Sequence, residues 1–286
     1  MTTATSDTEP ETEPDFPPGR YLELPGRGVT FIRDQPGPPT KLPIVLLHGW
    51  TVTADLNFFT VYGGLSSAGR VIAMDQRGHG RGIHNKDRFR MEDVADDVVA
   101  ALDELAIQRA LIVGYSMGGA VAQLVAHRHP ERTAGLVLCA TSYRFRRSND
   151  QRFLWDRVMP ATAAALSLTP DSVRLGLFER FAMTRSNMAP LWMREQISRN
   201  DPAAMVQAGV AIGAFDASSW IADLPMKVAS VVTQHDGTVP TRWQLSTARK
   251  ANAAVFEIDT DHRGAVSHPH LFVPALRKAI AHVSAR

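Results

Sequence analysis

One serine stands in a setting that suits nucleophilic chemistry. Gly114-Tyr115-Ser116-Met117-Gly118 falls where an apolar run, Ala110 to Tyr115, gives way to a helix-like pattern closed by Pro130. G-x-S-x-G at a strand-to-helix turn is the pattern of a nucleophile elbow. Strained backbone angles there lift the hydroxyl above a sheet, and the following helix points its first N–H groups at it. A dinucleotide-binding turn would need glycine where Ser116 stands, and no G-x-x-x-x-G-K-[ST] phosphate loop occurs. A serine serving only as a helix N-cap is the plain structural alternative.

A serine hydroxyl is a weak nucleophile and needs a base, an acid that orients the base, and donors for an oxyanion. Asp236 follows the apolar run VASVVTQH in a glycine-containing loop, where open α/β sheets place their chemistry. An Asx-turn is its structural alternative. Near the C-terminus stand His262, His268 and His270. His262 comes directly after a strand and its turn, whereas His268-Pro269 reads as the start of the last helix. The resulting chain order is Ser116, Asp236, His262. The strand PIVLLHGW ends in His48-Gly49-Trp50, so the backbone N–H groups of Trp50 and Met117 are the expected oxyanion donors. His48 is expected to tie this loop to neighbouring backbone.

No metal or organic cofactor is expected. His127 and His129 are two apart and face different sides of a helix. Cys139, the single cysteine, sits in the apolar run GLVLCA and reads as a buried structural thiol.

These residues need a scaffold, and the 286-residue chain spells one out. Short apolar runs (PIVLLHG, RVIAMDQ, ALIVGYS, GLVLCAT, VASVVTQHD, AVFEIDT) alternate with helical patterns, as in a doubly wound, mostly parallel α/β sheet. Met91 to Ile107 carries Val94, Val98, Leu102 and Leu105 on one helical face. YLELP and VTFIRD read as a leading strand pair. Residues 1–19 read as a disordered leader rich in Thr, Glu and Pro, and 20–141 with 223–286 as the core. From about Ser142 to Ala222 no strand pattern appears, and Pro160, Pro170, Pro190 and Pro202 break a Met- and Trp-rich helical stretch. This segment, 142–222, reads as a helical cap.

These motifs resemble the α/β-hydrolase superfamily, in its lid-bearing serine esterase and lipase-like branch. The resemblance runs from about Tyr21 to the C-terminus. It rests on HGW, on the Asp75-Gln76-Arg77-Gly78-His79-Gly80 turn, on GYSMGG, on HPERTAGLVL, on DGTVP, and on HRGAVSHPHLF. The family's catalytic histidine is followed by Pro seven residues on and Phe ten residues on. His262, Pro269 and Phe272 keep that spacing, and Asp261 replaces the family's preceding glycine.

The resemblance implies an α/β-hydrolase fold and an ester hydrolase acting on a small-molecule ester through an acyl-enzyme. The same triad also serves C–C bond hydrolases, cofactor-free perhydrolases and acyltransferases, and the fold hosts non-catalytic small-ligand receptors. Trp155, Met159, Trp192 and Trp220 of the cap are expected to line an apolar pocket, with Leu154, Phe178, Phe181, Met183, Met188 and Met193 as further candidates. A net charge of +2 gives no footing for nucleic acid. No apolar run reaches the ~18 residues of a membrane span, so a cytoplasmic protein is expected. Arg144, Arg146, Arg147, Arg152 and Arg157 read as a solvated surface, with contact to anionic lipid as the alternative.

Overall fold

Runs that are apolar on both faces become the inner strands of one eight-stranded sheet. The computed structural model describes residues 12–85, 87–145, 157–170, 172, 173, 176 and 190–285. Its strands are β1 (Gly19–Leu24), β2 (Gly28–Gln35), β3 (Ile44–Leu47), β4 (Val71–Met74), β5 (Ala110–Tyr115), β6 (Thr133–Cys139), β7 (Val228–Thr233) and β8 (Ala254–Ile258). Their order across the sheet is β1-β2-β4-β3-β5-β6-β7-β8. β1 and β2 are antiparallel, β2 runs antiparallel to β4, and every pair from β4 to β8 is parallel. Every residue of β3, β4, β5 and β7 is buried, which is why these strands read as unbroken apolar runs rather than alternating ones.

The helices are α1 (Ala54–Phe58), α2 (Tyr62–Leu65), α3 (Met91–Glu104), α4 (Met117–Arg128), α5 (Met159–Leu168), α6 (Leu191–Ser198), α7 (Pro202–Ala214), α8 (Thr241–Lys250), α9 (Gly264–Ser267) and α10 (Pro269–Ser284). α3 and α4 bury Val94, Val98, Leu102, Val121 and Val125 on one face of the sheet. α1, α2 and α10 bury Phe58, Leu65, Phe272, Leu276 and Ile280 on the other. Among the described residues no helix is long and apolar enough to cross a membrane.

α5, α6 and α7 fall within the stretch read as a cap. Its two legs leave the core side by side. Arg144 pairs with Asp216 as an antiparallel bridge, and the Ala217 N–H donates to the Tyr143 carbonyl at 2.8 Å.

The expected leader over 1–19 is overturned at its C-terminal end. Phe16 packs edge-on against Tyr62 and Trp192, and the Arg33 guanidinium lies 4.5 Å from its ring centre. Arg33 Nη1 donates to the Pro17 carbonyl at 3.0 Å, Asp34 N–H donates to that of Pro18 at 2.9 Å, and Gly19 opens β1. One aromatic in a Pro- and Glu-rich run has no periodicity, so the sequence offered no sign of this anchor.

Candidate active site

The turn between β5 and α4 gives Ser116 backbone angles of φ 53° and ψ −116°, a conformation that L-residues rarely adopt. Surrounding contacts hold it there. A Cβ on Gly114 would overlap the Gly118 carbonyl, and one on Gly118 would overlap the carbonyl of Leu47. The two glycines of the motif are therefore fixed by backbone approach. Ser116 N–H donates to the Cys139 carbonyl at 2.9 Å, and the Thr141 hydroxyl donates to the Ser116 carbonyl at 2.7 Å. Strain of this type costs on the order of 1–3 kcal/mol and persists only when neighbours over-determine it.

Loops at the C-terminal ends of β7 and β8 bring Asp236 and His262 to this serine. His262 Nε2 lies 3.0 Å from Ser116 Oγ, and His262 Nδ1 lies 2.7 Å from Asp236 Oδ2. With Asp236 ionised, Nδ1 carries the proton and donates it, which leaves Nε2 as acceptor for the serine hydroxyl.

Asp236 is itself held on both oxygens. Oδ1 accepts from the N–H groups of Thr238 (2.8 Å) and Val239 (2.7 Å). Oδ2 accepts from the Thr233 hydroxyl (2.8 Å) and from Gln244 Nε2 (2.9 Å). Burial pushes the Asp236 carboxyl up, but the His262 hydrogen bond and charge, the Val239 N–H and the Thr233 hydroxyl outweigh it. The carboxyl therefore stays below its ordinary value. The backbone of His262 is clamped as well: Tyr115 Oη donates to its carbonyl at 2.6 Å. Tyr115, Thr233 and Gln244 were not legible as site residues, although Tyr115 lies inside the motif itself.

His268 is occupied elsewhere. Its Nδ1 lies 3.0 Å from Thr260 Oγ1 and 2.9 Å from Ser267 Oγ, at the start of α10, and its ring centre is 5.9 Å from that of His270. Asp261, which replaces the resembled family's glycine, accepts the Arg263 N–H at 2.9 Å and so closes the turn after His262.

The loop after β3 approaches Ser116 closely, since a Cβ on Gly49 would lie 3.4 Å from Ser116 Cβ. His48 Nε2 accepts the Gln76 N–H at 2.9 Å, which fixes the proton on Nδ1, and Nδ1 donates to the Gly49 carbonyl at 2.7 Å. Burial pushes His48 down to about 4, so the ring is neutral and acts as a spacer, not a base. Pinning the Gly49 carbonyl towards His48 turns the Trp50 N–H of that trans peptide to the opposite side. Gly49 N–H is held in turn by Asn57 Oδ1 at 2.8 Å. Met117 is the first residue of α4, so its N–H has no intrahelical acceptor.

A cavity of about 340 Å³ opens onto Ser116 and His262, walled mainly by Trp50, Val52, Leu56, Met193, Ile197 and Val266. Of the four cap residues expected to line it, the three that are described do not. Trp192 packs edge-on against Phe16 and Phe59, while Met193 and Ile197, one helical turn apart, line the cavity. Trp220 stacks on His127 of α4 with ring centres 4.2 Å apart, because the chain has re-entered the core by that point. Met159 is set back from the cavity: its methyl and the Trp50 ring both close on Gly209 of α7. Trp155 lies outside the described residues, as do Leu154, Phe178, Phe181, Met183, Met188, Arg146, Arg147 and Arg152. Val52 and Leu56 carried a usable signal, being four apart just after His48-Gly49-Trp50. Cys139 is fully buried, and burial pushes its thiol up, away from reactivity.

A strained serine above a parallel sheet, within reach of a carboxylate-oriented histidine, defines the class of proteins built around a nucleophile elbow. Residues 43–262 match the α/β hydrolase fold family, and the chain belongs to it. It is 37% identical over 124 residues to the dihydrolipoyllysine-residue acetyltransferase component of an acetoin cleaving system from Pseudomonas putida, covering 43% of this chain and 30% of that one. It is 29% identical over 248 residues to a pimeloyl-[acyl-carrier protein] methyl ester esterase from Sodalis glossinidius, covering 82% and 91%. The chain thus spans about a third of the first relative's length and most of the second's. Among solved structures, a thermophilic esterase from Thermogutta terrifontis superposes with a TM-score of 0.73 at 21% identity, covering 93% of this chain and 100% of that one. At that identity the likeness speaks for the fold.

Proposed function

We propose that the chain hydrolyses a carboxylic ester with an apolar or aromatic acyl group, through an acyl-enzyme on Ser116. The observation that carries this reading is the unbroken line Asp236–His262–Ser116, at 2.7 and 3.0 Å, opening into an apolar cavity. His262 takes the hydroxyl proton as Ser116 Oγ attacks the ester carbonyl. Negative charge gathers on the carbonyl oxygen, where the N–H groups of Trp50 and Met117 receive it. Asp236 stabilises the imidazolium that forms, and His262 passes its proton to the departing alcohol. Water, deprotonated by His262, then attacks the acyl-enzyme, and Ser116 leaves with the returned proton. The methyl ester esterase relative supports an ester as the substrate.

Labelling with a fluorophosphonate probe, followed by turnover of p-nitrophenyl esters of increasing acyl length, tests the reading. Ser116→Ala is expected to abolish labelling and to lower turnover by about 10⁴-fold with the fold intact. Near-normal turnover by this variant would show that Ser116 is not the nucleophile. Labelled protein that cleaves no ester of the series would move the reading to another reaction of the same triad.

A further inference from the structure

The cavity has one fixed positive charge in its lining. Of the described residues that wall it, Arg263 alone is charged apart from any charge on His262, and it follows His262 directly in the chain. Its backbone is locked. The N–H donates to Asp261 Oδ1 at 2.9 Å, and the carbonyl accepts from the N–H groups of Val266 (2.8 Å) and Ser267 (2.9 Å) and from the Ser267 hydroxyl (3.1 Å). The side chain is 75% exposed, so it stands at the mouth. Its one ion pair among the described residues is a long contact from Nε to Asp261 Oδ2, at 3.7 Å. An exposed pair of that length holds weakly. Both terminal amino groups of the guanidinium lack a partner among the described residues. A guanidinium fork matches a carboxylate bidentately, and the wall beyond it offers Val52, Leu56, Met193 and Ile197, which suit methylenes.

We infer that Arg263 is a specificity residue for esters that carry a carboxylate at the far end of an apolar segment, such as the half-esters of straight-chain dicarboxylic acids. The inference rests on the ester hydrolase reading above and adds the class of substrate. Its ligand needs no new chemistry: the scissile ester lies at Ser116, the methylenes against the wall and the anion at the mouth.

Monomethyl suberate and methyl octanoate have eight-carbon acyl chains and differ in the terminal carboxylate. The ratio of their kcat/KM values, half-ester over neutral ester, reads the inference directly. The native protein is expected to favour the half-ester through KM, and Arg263→Gln to lower the ratio by about five- to tenfold. Arg263→Lys should fall between, since it keeps the charge and loses the fork. Raising the salt should lower the native ratio and leave that of Arg263→Gln in place. Among half-esters, the native rate should pass through a maximum with chain length that the Gln variant lacks. A native ratio near one, or a ratio that Arg263→Gln does not change, overturns the inference while leaving the ester reading intact. A native protein that cleaves neither ester and takes no fluorophosphonate overturns both.

Discussion

Trp50 donates its indole N–H to the carbonyl of Met205 on α7, 2.8 Å away. The residue whose backbone N–H we assign to the oxyanion is thereby tied through its side chain to α7. Gly209 completes the joint, since a Cβ there would lie 2.8 Å from the Trp50 ring. Trp50→Phe keeps an aromatic ring and removes one hydrogen bond, worth about 1 kcal/mol. It is expected to lower kcat for a short ester by roughly three- to tenfold with a smaller change in KM, because the loss falls on the oxyanion donor. Gly209→Ala should lower both kcat and Tm. Unchanged steady-state kinetics in Trp50→Phe would reduce the link to a packing contact.

Asn57 holds the preceding peptide of the same loop, through the Gly49 N–H. Asn57→Ala is expected to lower kcat by ten- to a hundredfold while fluorophosphonate labelling slows in proportion. Both reactions pass through a developing oxyanion, and a positioning defect acts on both. A variant that loses thermal stability but keeps its labelling rate would assign Asn57 a purely structural part.

The sheet, the elbow turn and the candidate residues Ser116, Asp236 and His262, which the fold brings together, were legible because each leaves a local mark. Buried strands leave apolar runs, close backbone approach leaves Gly114 and Gly118, and strand ends leave Asp236 and His262. The pocket wall was only partly legible. At helical spacing Trp192 and Met193 look alike, and which of them faces the cavity depends on how α6 rolls against Phe16 and Phe59, contacts far apart in sequence. Trp220 lies beyond the Arg144–Asp216 bridge, where the chain already packs on α4, and a bridge between distant residues leaves no pattern in either segment. Asn57, Gln244 and Thr233 act through side-chain hydrogen bonds, which have no periodicity at all.

Arg81 bridges two fully buried carboxylates. Its Nη2 lies 2.7 Å from Asp55 Oδ2 and its Nε 3.1 Å from Asp75 Oδ2, with the guanidinium 3.5 Å from the centre of the Phe31 ring. Arg33 holds the other oxygen of Asp55 at 2.8 Å. Asp75 Oδ1 accepts the Ala54 N–H at 2.8 Å, so the network anchors α1, the helix that carries Asn57. Removing one partner strands buried charge, which costs about 3–5 kcal/mol. Arg81→Met is expected to lower the unfolding free energy by that amount, read as a lower urea midpoint at an unchanged m-value. A shift below about 1 kcal/mol would mean that water replaces the guanidinium.

Two buried imidazoles set the acid limit of stability. Burial brings His48 to about 4, and burial followed by the neighbouring His48 brings His79 to about 3. Their ring centres are 5.4 Å apart. Both folded values lie below the ordinary 6.5, so the folded protein keeps the rings neutral where the unfolded chain takes up protons. Above about pH 7 neither state binds a proton and the two residues leave stability independent of pH. Below 6.5 the unfolded chain gains protons first, and stability falls until each folded value is reached, near 4 and near 3. At pH 5 the loss is roughly 2 kcal/mol per histidine. Asp236 acts in a lower window, because its depressed carboxyl keeps its contribution until the pH falls to the ordinary carboxylate range and below. Urea midpoints measured from pH 7.5 to 4.5 should therefore decline, and His79→Phe should remove about half of the slope. A flat profile in the native protein, or an undiminished slope in His79→Phe, would show that these rings are solvated and titrate near their ordinary value.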